Sequence, residues 1–184
     1  YRHFDTANHY ENERYVGQGI RNSGIDRSEV FVVSKIWPTS FADPVKVIEF
    51  SLKALNLDYI DAYLIHWPGL APDARYRVWE TLLRYRDMGY IKGVGVSNFK
   101  KAHLVDLKEK FGMDPCMNEF EISPWLQKPE DYQYCQENKI VMSASVPFAK
   151  GDNAQSTMST PAWAAIRLVM SPVPVVLWVC RWMG

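Results

Sequence analysis

Short apolar segments recur in this chain at a nearly constant spacing, and each of the first four ends on a polar residue. The four end residues are Asp5, Lys35, His66 and Ser97, which follow one another at intervals of 30, 31 and 31 residues. Between these segments the hydrophobic period changes from two to about 3.6, which is typical of helices. This alternation of strand and helix favours βαβ units and a parallel sheet.

The pattern predicts six strands and five helices. The predicted strands are 4–5, 30–35, 62–66, 91–97, 117–121 and 140–145, and the predicted helices are 10–22, 44–55, 72–88, 101–111 and 129–138. Asp43 stands at the N-cap of the second helix and Pro44 at its first position. Gly89 follows the third helix, where a C-terminal cap is expected.

Two architectures accommodate such a parallel sheet, a doubly wound sheet and a barrel. The sequence has no glycine-rich phosphate loop after its first predicted strand, which weakens the dinucleotide-binding version of the doubly wound fold. In a barrel the carboxyl ends of all strands meet at one mouth, so the four polar end residues would gather there. The expected fold is therefore α/β, an incomplete (β/α)8 TIM barrel with about six of its eight units, in one domain over 1–184.

The composition argues against several classes of partner and compartment. Twenty-one basic and twenty-one acidic residues give a formal charge of zero, so there is no electrostatic case for nucleic acid or an anionic membrane. The uninterrupted apolar runs are too short to span a bilayer. Cys116, Cys135 and Cys180 lack metal-ligand or redox spacing, which favours free thiols in the cytoplasm and no metal site. The oligomeric state stays open.

Asp5, Tyr10, Lys35 and His66 together have the chemistry of a proton donor. A phenol has a pKa near ~10 in water, and a neighbouring ammonium lowers it. A carboxylate beside that ammonium would fix it in position, and an imidazole can hold a carbonyl oxygen. The set suits carbonyl reduction. Because no side chain can deliver a hydride, this reaction would require a nicotinamide cofactor.

Four motifs resemble those of the aldo-keto reductase superfamily, an NADP-dependent oxidoreductase domain. They are FDTANHYENE, VVSKIW, DYIDAYLIHWP and GVGVSNF, which are similar to the family's motifs at strands 2, 3, 4 and 5. The resemblance is continuous over 1–151 and leaves 152–184 as a divergent tail. It implies that Tyr10 is the general acid, that Lys35 paired with Asp5 tunes it, and that His66 orients the carbonyl of a small aldehyde or ketone.

The same resemblance implies a set of binding residues. Ser97 and Asn98 would hold the nicotinamide carboxamide of NADPH, with NADH also possible, and Asp5 would lie at the cofactor. Trp37 and Trp67 would line an aromatic substrate pocket, although plain core packing is an open alternative for both.

Two positions depart from the family pattern. Glu119 stands where glutamine is usual, and a carboxylate cannot donate a hydrogen bond to the carboxamide oxygen. Ser145 stands where a tyrosine commonly stacks on the nicotinamide, so stacking worth roughly 0.5–1.5 kcal/mol would be lost. These departures support an alternative, a catalytically impaired or non-catalytic barrel fragment that serves as a cofactor-binding or regulatory module.

By the family pattern the chain holds strands 2 to 7, and we expect a fragment without strand 1 or strand 8. Its last part resembles the helix before strand 8, with Pro172 at the start of that helix. His3, His9 and His103 are expected to be surface or packing residues. Glu11 and Glu13 are expected to be solvated acids in the first turn of a helix.

Overall fold

The computed structural model describes residues 1–123 and 125–147 and the backbone of residues 176–177. The chain divides into two compact units, Tyr1–Ser97 and Asn98–Gly184. A single domain over 1–184 stays a prediction.

The first unit contains four strands and three helices that alternate along the chain. The strands are β1 (His3–Asp5), β2 (Phe31–Ile36), β3 (Ile60–Ile65) and β4 (Ile91–Ser97), and the helices are α1 (Glu13–Asn22), α2 (Pro44–Leu55) and α3 (Pro72–Asp87). Neighbouring strands pair in parallel and in sequence order. Successive parallel strands need a crossover connection, which is why a helix or helical turn stands between each pair.

Burial in this unit follows from the parallel pairing. Every residue of β3 except Asp61 is buried, and so is every residue of β2 after Phe31. Parallel strands with both faces covered are expected to be apolar almost throughout. A buried lysine inside β2 is therefore an exception that needs a partner.

Local signals set the start of α2 and its packing against α1. The carboxylate of Asp43 accepts a hydrogen bond from the backbone N–H of Lys46, and Pro44 occupies the first turn, as the sequence predicts. Gly17 of α1 lies directly against the carbonyl oxygen of Leu55 at the end of α2. The missing Cβ of Gly17 permits this close approach.

The second unit repeats the alternation. It contains α4 (Lys101–Phe111), β5 (Met117–Glu121), α5 (Pro129–Glu137), β6 (Val141–Ser145) and a two-residue strand β7 (Val176–Leu177). Strand β6 pairs in parallel with both β5 and β7. Leu104 and Leu107 of α4 and Cys135 of α5 are buried. No helix among the described residues is long and apolar enough to cross a membrane.

Two sequence predictions differ from this structure. The helix expected to begin at Tyr10 begins at Glu13, because Asn8–Tyr10 forms a 3-10 turn that Glu11 closes in the left-handed region at φ 56°. The predicted helix in the tail would include residues 176–177, which are instead a strand in a segment rich in β-branched valine. The rest of the predicted tail, 152–175 and 178–184, lies outside the described residues.

Candidate active site

Tyr10 is held on a short turn between β1 and α1. Its backbone N–H donates to the carbonyl of Ala7 at 3.0 Å, and the hydroxyl of Thr6 donates across the turn to the side chain of Asn12. The phenol is 45% exposed. The turn thus fixes the backbone of Tyr10 while almost half of the residue remains exposed.

Lys35 and Asp5 form a buried ion pair beside this phenol. The ammonium of Lys35 donates to a carboxylate oxygen of Asp5 and, at 3.3 Å, to the carbonyl of Thr6. The side chain of Lys35 is fully buried. Its Nζ lies 5.5 Å from the centre of the Tyr10 ring. The positive charge is therefore neutralised by a carboxylate on one side and faces the phenol on the other.

His66 directly follows β3 and meets the same phenol. Its Nε2 lies 3.3 Å from the hydroxyl of Tyr10, and its backbone N–H donates to the carbonyl of Ile36. Burial, assisted by the charges of Lys35 and His9, lowers the pKa of His66 to about 3. The imidazole is therefore neutral at physiological pH, with one nitrogen that donates and one that accepts.

An aromatic wall adjoins His66. The ring of Trp37 stands edge-on to His66, with centres 4.7 Å apart and planes at 87°. The imidazole of His9 lies flat on Trp37, with centres 4.4 Å apart and planes at 13°. Trp67 is 45% exposed and makes no ring contact or hydrogen bond with another described residue. Of the two predicted pocket tryptophans, Trp37 is therefore the one in contact with this cluster.

Two further residues lie next to the cluster. The sequence predicts that His9 is a surface or packing residue, and in the structure it is exposed and stacks on Trp37, the tryptophan that contacts His66. Its position immediately before Tyr10 is the signal in the sequence that it lies beside the cluster.

Glu13 was expected to be a solvated acid, but it is 2% exposed and accepts a hydrogen bond from the hydroxyl of Ser34 at 2.6 Å. Burial raises the pKa of Glu13. This hydrogen bond ties the start of α1 to the strand that carries Lys35. Glu13 is the first residue of α1, which begins just after the turn that carries Tyr10. This position explains why Glu13 is buried, and its residue type alone does not signal it.

The predicted cofactor residues divide between the two units. Ser97 ends β4 in the first unit, one residue past the paired positions Ile65 and Val96, so the register puts it level with His66. In the second unit the backbone N–H of Asn98 donates to the carbonyl of Glu119 at 2.7 Å, with Asn98 at φ 60°.

Glu119 and Ser145 occupy the neighbouring strands of the second unit. Glu119 pairs in register with Ser143, and Ser145 ends β6 opposite Glu121. Glu119 is 8% exposed.

Comparisons with known proteins agree with this geometry. A sequence model of the aldo/keto reductase family matches residues 1–158. The chain is 35% identical over 178 residues to the methylglyoxal reductase DkgA of Escherichia coli, covering 91% of this chain and 65% of that protein. It is 36% identical over 180 residues to the glycerol 2-dehydrogenase (NADP(+)) of Saccharomyces cerevisiae, covering 83% and 58%. The chain thus spans less than two thirds of the length of these relatives.

A solved structure supports the fold. The crystal structure of an aldo/keto reductase from Brucella melitensis superposes with a TM-score of 0.82 at 30% identity, over 98% of this chain and 74% of that one. The prediction of an α/β fold that corresponds to an incomplete (β/α)8 barrel is confirmed by this similarity.

Proposed function

The chain belongs to the aldo/keto reductase family, and from this membership we propose that it reduces aldehydes or ketones to alcohols with NADPH. The observation that carries the proposal is the cluster in which the hydroxyl of Tyr10 lies 3.3 Å from Nε2 of a neutral His66 and beside the buried Lys35–Asp5 pair. Such a cluster can stabilise an oxygen atom on which negative charge develops during the reaction.

Tyr10 acts as the general acid in this proposal. It is half-exposed and contacts two of the other three groups, since His66 lies at its oxygen and Lys35 at its ring. A phenol gives up its proton more readily where a positive charge stabilises the phenolate. Tyr10 therefore protonates the carbonyl oxygen as that oxygen becomes an alkoxide.

Lys35 and Asp5 tune this proton transfer without reaching the substrate. The buried ammonium supplies the charge, and the carboxylate of Asp5 prevents the lysine from losing its proton in an apolar environment. His66 acts differently. Because its imidazole is neutral, it can donate a hydrogen bond to the carbonyl oxygen without adding a second cation to the site.

The residues at the end of β1 suit a nicotinamide cofactor. The second carboxylate oxygen of Asp5 is buried and accepts no hydrogen bond from the described residues. A hydroxyl group of a bound ligand could satisfy this oxygen, which would otherwise be costly to bury. When bound, the nicotinamide supplies the hydride that reduces the carbonyl carbon. Ser97 and Asn98 would hold its carboxamide.

Named relatives support both the substrate class and the cofactor. One is a methylglyoxal reductase and another a glycerol dehydrogenase that uses NADP(+). We therefore expect small carbonyl compounds as substrates and NADPH as the cofactor, with NADH as the alternative. The cytoplasm is the proposed compartment, and nucleic acid and membranes are not proposed as partners.

Replacement of Tyr10 by phenylalanine tests the assignment. Tyr10→Phe keeps the ring and removes the acidic hydroxyl, so we expect carbonyl-dependent NADPH oxidation to fall by at least about 100-fold, the usual scale of general acid catalysis. Tyr15→Phe is a matched control, because this tyrosine lies in the same segment and is 69% exposed. Unchanged turnover in Tyr10→Phe would remove Tyr10 from the mechanism.

A second candidate function is that of a non-catalytic barrel that binds a cofactor or regulates a partner. Glu119 and Ser145 favour it, because neither supplies the contact that glutamine and tyrosine give the nicotinamide elsewhere in the family. Titration of the protein with NADPH, followed by a panel of carbonyl compounds, separates the two. Binding without turnover of any carbonyl would favour the second function.

A further inference from the structure

His9 presents an imidazole at the edge of the proposed substrate site. It is in the 3-10 turn Asn8–Tyr10, directly before the proposed acid. Its ring lies flat on Trp37, the tryptophan that contacts His66 edge-on. His9 is nevertheless exposed. One face of the imidazole is therefore used for packing, while its edge stays available to a ligand.

The surroundings of His9 leave its imidazole available as a hydrogen-bond donor. The imidazole makes no hydrogen bond and no ion pair with another described residue, including the exposed Glu11 two positions along the chain. Its charge nevertheless acts on His66, where it contributes to the lowered pKa of that residue. His9 is thus electrostatically coupled to the cluster without being paired within it.

The other polar groups of the cluster are unsuited to bind an anionic group on a substrate. Lys35 is fully buried and bound to Asp5, and His66 is neutral. An anionic group on a substrate would therefore find no accessible cation among these residues. An exposed imidazole beside Tyr10 can donate a hydrogen bond to such a group, and a hydrogen bond with one ionised partner is about twice as strong as one between neutral groups.

We propose that His9 is a specificity-determining residue that binds a carboxylate carried by the carbonyl substrate. The inference rests on the proposed reductase function and deepens it by naming a substrate class, namely aldehydes or ketones that also bear a carboxylate. Trp37 orients the imidazole, and Tyr10 on the same turn fixes the distance between the reacting carbonyl and the anion.

The test compares acids with their own methyl esters, which differ mainly in charge. Suitable pairs are succinic semialdehyde with its methyl ester and 4-carboxybenzaldehyde with methyl 4-formylbenzoate, because they place the carboxyl group at different distances from the carbonyl. The quantity measured is the ratio of kcat/KM for the acid to kcat/KM for the ester, in the wild-type protein and in variants.

His9→Phe keeps a ring that can stack on Trp37 but removes the hydrogen-bond donor. We expect the acid-to-ester ratio to fall about tenfold, mainly through a higher KM for the acid, since the contact already exists in the bound substrate. His9→Lys supplies another hydrogen-bond donor at this position and should retain most of the acid preference. His3→Phe is the matched control, because it removes an imidazole that packs on Phe31 instead, and it should leave the ratio unchanged.

Several outcomes would overturn the inference. An unchanged acid-to-ester ratio in His9→Phe would mean that the imidazole does not bind the carboxylate. If that unchanged ratio came with an equal fall in kcat/KM for the acid and for the ester, His9 would have only a packing role. Failure of His9→Lys to retain the preference would exclude a hydrogen bond from this position to the carboxylate. A wild-type protein that reduces neither acid nor ester overturns the proposed function as well, whereas turnover with an unchanged ratio overturns only the role of His9.

Discussion

The ammonium of Lys35 on β2 is paired with the carboxylate of Asp5 at the end of the neighbouring strand β1. The side chain of Lys35 is fully buried and that of Asp5 is 8% exposed. Each charge is therefore tolerated only because the other is present, since an isolated buried charge costs several kcal/mol. The pair links the stability of these two strands to the chemistry proposed for Tyr10.

Breaking the pair from one side should destabilise the protein more than removing it altogether. We expect Asp5→Leu to lower the free energy of unfolding by about 3 kcal/mol or more, because it leaves the ammonium buried without a counter-ion. The double variant Asp5→Leu/Lys35→Met should recover most of this loss. Urea denaturation of the wild type, the single variant and the double variant measures both changes.

The double variant also separates folding from catalysis. It should be well folded and yet inactive in carbonyl reduction, because the charge that assists Tyr10 is gone. A double variant as unstable as Asp5→Leu would mean that the site depends on the ion pair for its structure.

The sequence predicted the strands well because each ends on a residue that breaks an apolar run. Asp5, Lys35 and His66 mark three strand ends to within one residue. That these side chains lie close together could be predicted from the parallel pairing of the strands alone. The turn that carries Tyr10 was not predicted, because the left-handed conformation of Glu11 leaves no trace in hydrophobic periodicity. Side-chain contacts such as the stacking of His9 on Trp37 depend on tertiary positions that one sequence does not encode locally.

Gly17 should be intolerant of any side chain. A Cβ at this position would overlap the carbonyl oxygen of Leu55, which is backbone and cannot move aside without separating α1 from α2. We therefore expect Gly17→Ala to destabilise the protein by roughly 2 kcal/mol or more, despite the higher helix propensity of alanine. Thermal or urea unfolding measures the change.

Gly19 provides the control on the same helix. A Cβ there meets nothing within 4 Å, so Gly19→Ala should stabilise the protein by about 0.5–1 kcal/mol. Equal effects of the two substitutions would contradict the close packing of α1 on Leu55.

The stability of the protein should fall as the pH drops below about 6.5, partly because of His66. Its pKa is lowered from 6.5 to about 3 in the folded state, chiefly by burial. Between these values the unfolded chain binds a proton that the folded chain rejects, so stability is full above the unfolded pKa and declines toward pH 3. At pH 5 this residue should account for roughly 1–2 kcal/mol of lost stability.

His66→Gln tests this contribution. Glutamine does not titrate, so the difference between the free energies of unfolding at pH 7 and pH 5 should shrink relative to the wild type. His3, whose pKa is also lowered to about 3 by burial and by the charge of Lys35, should still contribute in this variant. The same pH dependence in both proteins would show that His66 is not held neutral by its surroundings.

Glu119 should weaken cofactor binding, and its replacement by glutamine should strengthen it. The backbone of Glu119 is joined to Asn98 by a hydrogen bond of 2.7 Å, so both residues occupy fixed positions in the second unit. A carboxylate offers the carboxamide of a nicotinamide only acceptors, whereas glutamine offers a donor as well. One additional neutral hydrogen bond is worth about 1 kcal/mol, or roughly a fivefold lower Kd for NADPH.

Quenching of tryptophan fluorescence during an NADPH titration measures the Kd of Glu119→Gln, with Glu121→Gln on the same strand as the charge-matched control. A gain of similar size in both variants would trace the effect to general charge, and an unchanged Kd in Glu119→Gln would remove this residue from the cofactor site.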